Sequence, residues 1–578
     1  MMYSDIPSAQ TLVLYFKSRG VKHIVISPGS RNAPLTIGFT KNSFFSCYSI
    51  VDERCAAFFA LGMAQQLQEP VAVVCTSGSA LLNYYPAVAE AFYSDIPLIV
   101  VSADRPSYRI DIGDGQTIRQ ENVLEKHIGY SANLKQDISH ASETVSKWGK
   151  SLLIETQEEI QEYNERELVN ALQIARWKST PVHINIPFEE PLYGVMEKPV
   201  LQIAEKKTDV PINSSEEDWS DYTAVWKSSG PKMILVGVNQ PNAIAKEVLE
   251  ALAQDGNTLV FTETTSNMHH PEFFPSIDSV IAPIEKSENR EELFKALQPD
   301  ILVTFGGLIV SKKIKAFLRK YQPKEHWHID PKKAYDTFFC LSKHVKANPN
   351  DFFGAVLTSE TQKSDYKIRW QEVKKHYEVR RKAYLDKIPF SDFTVFDQVI
   401  RHIPKGYQVH LANSSTVRYA QLFPMGASLN VFCNRGTSGI DGSTSTAVGA
   451  SIHTEEPTLL ITGDLSFFYD SNGLWNAHIR PNFRIILINN SGGGIFRILP
   501  GKEDTAEFST FFETYHDFTA EHLAQMYGLE YLKADNEDEL TEGLSNFYTT
   551  SLKPKILEIS TPRLVNNKIL LGYFDFIS

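Results

Sequence analysis

The sequence predicts an α/β protein of three domains in line, each built on a doubly wound parallel sheet. Three observations carry this: a length of 578 residues, short β-branched runs alternating with helical segments, and two polar or charged stretches that break the alternation. At about 150 residues per domain, the length calls for three or four domains. With 42% hydrophobic and 22% charged residues there is apolar material for several cores.

The first series of apolar runs is HIVIS (23–27), CYSIV (47–51), VAVVC (71–75), PLIVVSA (97–103) and PVHINIP (181–187). Each is short and bounded by Gly, Pro, Ser or Asp, as buried parallel strands are. Between them lie segments of helical length, such as 54–67. Polar residues around 195–225 interrupt the pattern. A second series follows with KMILVGV (232–238), TLVFTET (258–264), ILVTFGG (301–307) and EHWHID (325–330). A charged helical stretch over 365–387 precedes the third: QVHLAN (408–413), LNVFCN (429–434), TLLITGD (458–464), FRIILINN (483–490) and KILEIS (555–560). The expected boundaries are a first domain at 1–194, a linker at 195–225, a central domain at 226–364, a helical connector at 365–390 and a third domain at 391–578.

The net charge of −12 speaks against a nucleic-acid partner, whose phosphates need a basic face. Anionic small molecules would then depend on local arginines. Five cysteines without a CxxC pair give no zinc site or disulfide framework, and Cys75 and Cys433 fall in apolar runs as buried thiols. No stretch of about 18 apolar residues exists to cross a membrane. The opening MMYSDIPSAQ lacks the basic and apolar regions of a secretion signal, so a cytoplasmic location is expected.

In parallel sheets, ligands gather at the carboxyl ends of strands. After TLLIT comes Gly463-Asp464-Leu465-Ser466, and the next strand ends in Asn489-Asn490-Ser491-Gly492-Gly493-Gly494. Asp464 and Asn490 are 26 positions apart, one crossover, so the two strand ends can lie side by side. An acid, an amide oxygen and a carbonyl form a hard-oxygen set suited to Mg²⁺ holding a diphosphate. Both pairs are also common turn dipeptides, which leaves a plain turn open. In the first series a strand ends at Val51, and Asp52-Glu53-Arg54 opens a helix whose N-terminus favours an acid of any role. Arg31, Arg105, Arg418 and Arg435 each follow a strand, and arginine offers a planar fork for carboxylates. A lone arginine in such a place is more often a structural ion pair.

Gly-Asp followed by Asn-Asn at this spacing, with an upstream strand-end glutamate, resembles the thiamine-diphosphate-dependent enzymes. Further blocks narrow the likeness: Ser27-Pro28-Gly29-Ser30-Arg31, Ala103-Asp104-Arg105-Pro106, Gln116-Thr117-Ile118-Arg119-Gln120, Asn413-Ser414-Ser415-Thr416-Val417-Arg418 and Cys433-Asn434-Arg435-Gly436-Thr437-Ser438-Gly439-Ile440. They are similar to the family of menaquinone biosynthesis that makes 2-succinyl-5-enolpyruvyl-6-hydroxy-3-cyclohexene-1-carboxylate from 2-oxoglutarate and isochorismate, with loss of CO₂. The likeness is strongest in the outer domains, which become a pyrimidine-binding first domain and a diphosphate-binding third domain.

The resemblance implies roles. Glu53 shares a proton with the thiamine pyrimidine, and Asp464, Asn490 and the Gly492 carbonyl hold the metal, Mg²⁺ or Mn²⁺. Ser30, Gly463, Leu465 and Ser466 touch the cofactor. Ile440 supports its bent shape, and Ile495 and Phe496 wall the pocket. Arg31, Arg105 and Gln116 from the first domain, with Ser414, Arg418 and Arg435 from the third, face substrate. It also implies a homodimer or dimer of dimers with the site between chains. Ile440, Ile495 and Phe496 have an ordinary core reading as well. The central Ser311-Lys312-Lys313 departs from the family's Lys-Arg, which leaves surface lysines open. An acetolactate-type carboligase and a nicotinamide or flavin oxidoreductase are the alternatives, though no GxGxxG follows any strand.

Overall fold

The computed structural model describes residues 2–201, 203, 218–357, 364–498 and 505–578. The middle of the expected linker at 195–225, residues 202 and 204–217, therefore lies outside the described residues. All fourteen apolar runs form strands, and they assemble into three parallel sheets. In the first, β1 (His23–Ile26), β2 (Ser46–Ser49), β3 (Val71–Cys75), β4 (Leu98–Asp104), β5 (Tyr130–Asn133) and β6 (Val182–Pro187) run in the order β2-β1-β3-β4-β6-β5. The central sheet holds β7 (Lys232–Val236), β8 (Thr258–Phe261), β9 (Ile301–Phe305), β10 (Glu325–Ile329) and β11 (Lys343–Val345), ordered β8-β7-β9-β10-β11. The third holds β12 (Gln408–Leu411), β13 (Asn430–Phe432), β14 (Thr458–Gly463), β15 (Phe483–Asn489), β16 (Glu530–Ala534) and β17 (Lys555–Ser560), ordered β13-β12-β14-β15-β17-β16.

Three strands went unpredicted: β5, β11 and β16, and each is a sheet edge. Their sequences, YSAN, KHV and EYLKA, are half-exposed and polar. An edge strand needs only one buried neighbour, so it shows no apolar run. A fourth departure lies in the expected linker, where Val195–Met196 pairs antiparallel with Tyr3–Ser4.

The chain divides into two compact units. One comprises Met1–Pro211, Gly436–Glu455 and Ser466–Phe483; the other comprises Ile212–Arg435, Glu456–Leu465 and Arg484–Ser578. In the first unit, helix α1 (Glu53–Leu67) packs on α3 (Ser443–Ser451) at van der Waals limits. A Cβ on Gly62 would come within 2.1 Å of the Thr446 carbonyl oxygen, and one on Gly449 within 2.0 Å of that of Phe59. Glycine is the residue that lets two backbones meet so closely. In the second unit, α2 (Asp365–Leu385) is more than a charged connector. It buries Tyr366, Trp370, Tyr377 and Tyr384 in the unit's core, while Lys374 and Arg381 cap carbonyls of Pro271, Phe273 and Leu422.

Candidate active site

Each unit carries part of the expected site. In the first, Glu53 is the first residue of α1, with Asp52 as its N-cap accepting the Cys55 N–H at 3.1 Å. The Asn472 amide donates to the other Asp52 oxygen at 2.9 Å. Burial alone would raise the Asp52 carboxyl, but these donors hold it below its ordinary range. Glu53 itself is half-buried, and its charge reaches Cys75 and Tyr84, whose groups burial already pushes up. The carboxylate thus sits beyond the carboxyl end of β3.

The α1 N-terminus is fastened to the segment bearing Ile440. Arg54 donates to the carbonyls of Asp441 and Tyr469. Buried Asp470 accepts the Ser445 N–H and hydroxyl, both at 2.7 Å, and the Cys55 thiol at 3.5 Å. It forms an ion pair with Arg54 at 3.6 Å, yet burial pushes its carboxyl up to about 7. The Ser466 hydroxyl donates to the Ile440 carbonyl at 3.0 Å. Glu90, also buried, accepts the N–H groups of Gly436 and Thr437 at 2.7 Å each. All of these contacts lie within one chain.

Arg31 and Arg105 end in different states. Arg31 is 3% exposed and donates to the Phe188 carbonyl at 3.0 Å and to Glu190 at 2.9 Å. Burial, then the neighbouring Arg105 charge, lower its pKa. The Arg105 side chain is half-buried and makes no hydrogen bond or ion pair among the described residues; its Nε is enclosed without a partner. Asp104 accepts the Arg105 N–H at 2.7 Å and is pushed up by burial to about 6. Ser30 is exposed at the turn after β1. Gln116 is exposed in a left-handed conformation (φ 56°), its backbone against Gly78. The fully buried Gln120 ties that loop down, accepting the Gly78 N–H at 2.8 Å and donating to Asn185 at 2.9 Å.

In the second unit, Asp464 opens α4 (Asp464–Tyr469) beside the end of β15, as the spacing predicts. One oxygen accepts the Leu465 N–H at 2.7 Å; the other accepts the Gly492 N–H at 2.9 Å and lies 3.4 Å from His516 Nε2. Asn490 donates to Asp392 at 2.9 Å, and its Oδ1 is buried with no hydrogen bond among the described residues. Burial pushes Asp392 up to about 6, and the Asp464 charge adds to the shift. The Asp464 carboxylate and the orphaned Asn490 amide oxygen are hard donors of the kind that fit a divalent cation. The Gly492 carbonyl accepts the Gly494 N–H at 2.9 Å, with its second lone pair remaining. Behind this turn the buried Glu513 accepts from Arg497 and Arg563, and its carbonyl accepts the Gly493 N–H at 2.6 Å. Ile495 and Phe496 follow in a half-buried 3₁₀ turn, Gly494–Ile498.

Ser414, after β12, holds φ 69°, a costly conformation for a residue with a Cβ. Beyond it Arg418 makes no hydrogen bond or ion pair among the described residues. Arg435 donates to Asn413 at 2.7 Å. Burial first, and then Arg435, lower the Arg418 pKa. Two neighbouring cations of this kind suit an anionic ligand. Lys312 is exposed, and Lys313 pairs with Glu285.

Glu90, Gln120, Asp470 and Glu513 were not predicted. Each holds a turn contributed from a distant part of the sequence.

Three family models match: the N-terminal TPP binding domain of thiamine pyrophosphate enzymes over residues 8–128, their middle domain over 198–411 and their C-terminal TPP binding domain over 413–559. Benzoylformate decarboxylase from Polynucleobacter necessarius shares the fold with a TM-score of 0.66 at 14% identity, over 96% of this chain and 99% of that one. Fold and sites thus define a thiamine-diphosphate enzyme. Among its relatives, the 2-succinyl-5-enolpyruvyl-6-hydroxy-3-cyclohexene-1-carboxylate synthase of Christiangramia forsetii is 55% identical over 100% of both chains. The synthases of Flavobacterium johnsoniae (53%, 99% of both) and Porphyromonas gingivalis (37%, 100% of this chain and 98% of that one) are similar along their full length. The chain belongs to this synthase family.

Proposed function

We propose that the chain is the thiamine-diphosphate-dependent carboligase that joins 2-oxoglutarate, after loss of CO₂, to isochorismate, in menaquinone biosynthesis. The observation that carries this is the half-buried Arg418, without hydrogen bond or ion pair among the described residues beside Arg435, which calls for an anionic ligand. Arg105 is a second such arginine, without hydrogen bond or ion pair among the described residues, beside Arg31, which is itself bonded to Phe188 and Glu190. Both substrates are dicarboxylates, and a pyruvate enzyme has no use for two arginine pairs.

When bound, thiamine diphosphate supplies the electron sink that lets the carboxylate leave. The chain's own residues do the rest. Glu53 holds and returns a proton at its carboxyl; Asp464, Asn490 and the Gly492 carbonyl would hold Mg²⁺ or Mn²⁺. Gly463, Leu465 and Ser466 line the turn nearest that metal. Ile440 and the Ile495-Phe496 turn supply apolar walls, with Ser30 and Gln116 at the open side of the first half. Arg105, Arg418, Arg435 and Ser414 orient the acids, which is positioning work, while Arg31 braces the turn beside Arg105.

The working form is a homodimer or a dimer of dimers. Val51, Tyr469 and Trp475 leave apolar faces of the first unit in solvent, as Phe511, Phe512 and Phe518 do in the second, and a second copy would cover them. Among the described residues no helix is long and apolar enough to cross a membrane, and all five cysteines are free thiols, which supports a cytoplasmic location. A panel of 2-oxo acids tests the reading. Turnover of 2-oxoglutarate and not pyruvate supports it; pyruvate turnover alone moves the chain to the acetolactate type. Sedimentation that shows an active monomer contradicts the dimer.

A further inference from the structure

We propose that Glu263, a buried carboxylate of the central sheet, is a positioning residue for the acidic substrate, acting through Arg435. The inference rests on the reading of Arg418 and Arg435 as substrate-binding. It gives a buried carboxylate of the central domain a part in the reaction.

Glu263 stands just past the end of β8 and is 3% exposed. It accepts the Val310 N–H at 2.9 and 2.8 Å and the Ser311 N–H at 2.8 Å. The turn it opens is rigid. Its own N–H donates to the Ser266 hydroxyl at 2.8 Å, which donates on to the Val236 carbonyl at 2.8 Å. Asn267 then stitches the turn to β13: its amide donates to the Val431 carbonyl at 2.9 Å and its oxygen accepts the Val431 N–H at 2.8 Å. Arg435 lies four residues beyond Val431. The turn therefore holds Glu263 and the approach to Arg435 in fixed register.

The charge has a use that the hydrogen bonds alone do not explain. Two N–H groups could be satisfied by a neutral acceptor, and burying an ionised carboxyl is expensive. Arg418 and Arg435 repel each other. The Glu263 charge, coupled to both, offsets that repulsion. Burial pushes Glu263 up to about 7, while the backbone donors and Arg435 oppose the shift. Asp278 also faces it and raises it, and Glu263 in turn stabilises the charges of Lys315 and Arg418. Asp278 accepts the Ser311 hydroxyl, and Lys315 donates to the Ile309 carbonyl at 2.6 Å, so the same turn is braced on both sides.

The test uses the holoenzyme with both substrates and reads kcat, KM, thiamine diphosphate affinity and Tm for wild type, Glu263→Gln and Arg418→Gln between pH 6 and pH 8. The substrate carboxylates stay ionised throughout this range. Glu263→Gln is expected to raise the KM of one acidic substrate about tenfold at pH 8, with kcat, cofactor affinity and Tm within about twofold or a few degrees of wild type. Wild-type KM is expected to rise as pH falls through about 7, and the variant to lose that limb. If Arg418→Gln raises KM while Glu263→Gln leaves both KM and the limb unchanged, the inference falls alone. A Glu263→Gln enzyme with lower Tm and kcat at unchanged KM overturns it equally, since that is a structural role. If Arg418→Gln leaves KM unchanged, the underlying reading falls. If Glu263→Gln does not fold, a flat wild-type KM across the range overturns the inference by itself.

Discussion

The first sheet runs β2-β1-β3-β4-β6-β5 and the third β13-β12-β14-β15-β17-β16, the same strand order in both. Their carboxyl ends carry different chemistry. The first presents a glutamate at a capped helix start and an arginine, Arg31, already bonded to Phe188 and Glu190. The third presents an aspartate, an amide oxygen with no hydrogen bond, and an arginine, Arg418, with no hydrogen bond or ion pair among the described residues. One topology thus serves as two frames, and function lies in what each strand end carries. The contrast separates two kinds of arginine: one built into the fold, one left for a ligand.

The largest effect is expected at Glu53. Glu53→Gln keeps the helix start and the Asp52 cap but cannot exchange a proton, so turnover should fall by roughly 10²–10⁴ with an unchanged melting curve. Near-normal turnover removes Glu53 from the proton path. The arginine contrast predicts opposite signatures. Arg418→Gln removes a donor that the chain does not use, so KM should rise about 10–100-fold, the worth of a charged hydrogen bond, with Tm unchanged or higher. Arg31→Gln leaves the Phe188 carbonyl and Glu190 short of a donor, so Tm should fall. Equal Tm losses in both variants erase the distinction.

The smallest effect concerns Asp470, whose carboxyl is raised to about 7 in the fold against about 4 unfolded. Between these values the folded chain binds the extra proton, so this group's contribution to stability declines as pH rises from about 4 to about 7. Asp470→Asn cannot titrate and should flatten that part of the Tm-against-pH curve. An identical slope in the variant assigns it to other groups.

The strands were legible because a parallel strand buried on both faces must be apolar throughout. The edges β5, β11 and β16 were not, since a half-exposed strand is free to be polar. The placement of Glu53 at a helix start and of Asp464 and Asn490 at neighbouring strand ends was legible through spacing and order. Glu90, Asp470 and Glu513 were not: a single acid in AVAEAFY or SFFYD has no local mark of burial. Its partners, Gly436 and Thr437 for Glu90 or Ser445 and Arg54 for Asp470, come from elsewhere in the chain. Nor did the sequence show that Arg31 would bond Glu190 while Arg418 stayed without a hydrogen bond among the described residues, because both stand shortly after a strand.

In this synthase family the chain's reaction couples decarboxylation to carbon–carbon bond formation between two acids. The direct measurement is CO₂ release from 2-oxoglutarate with thiamine diphosphate and Mg²⁺, with isochorismate present and absent, alongside isochorismate consumption. Release should rise sharply with isochorismate and match its consumption one for one. Release that ignores isochorismate, or none from 2-oxoglutarate under either condition, would contradict that coupling.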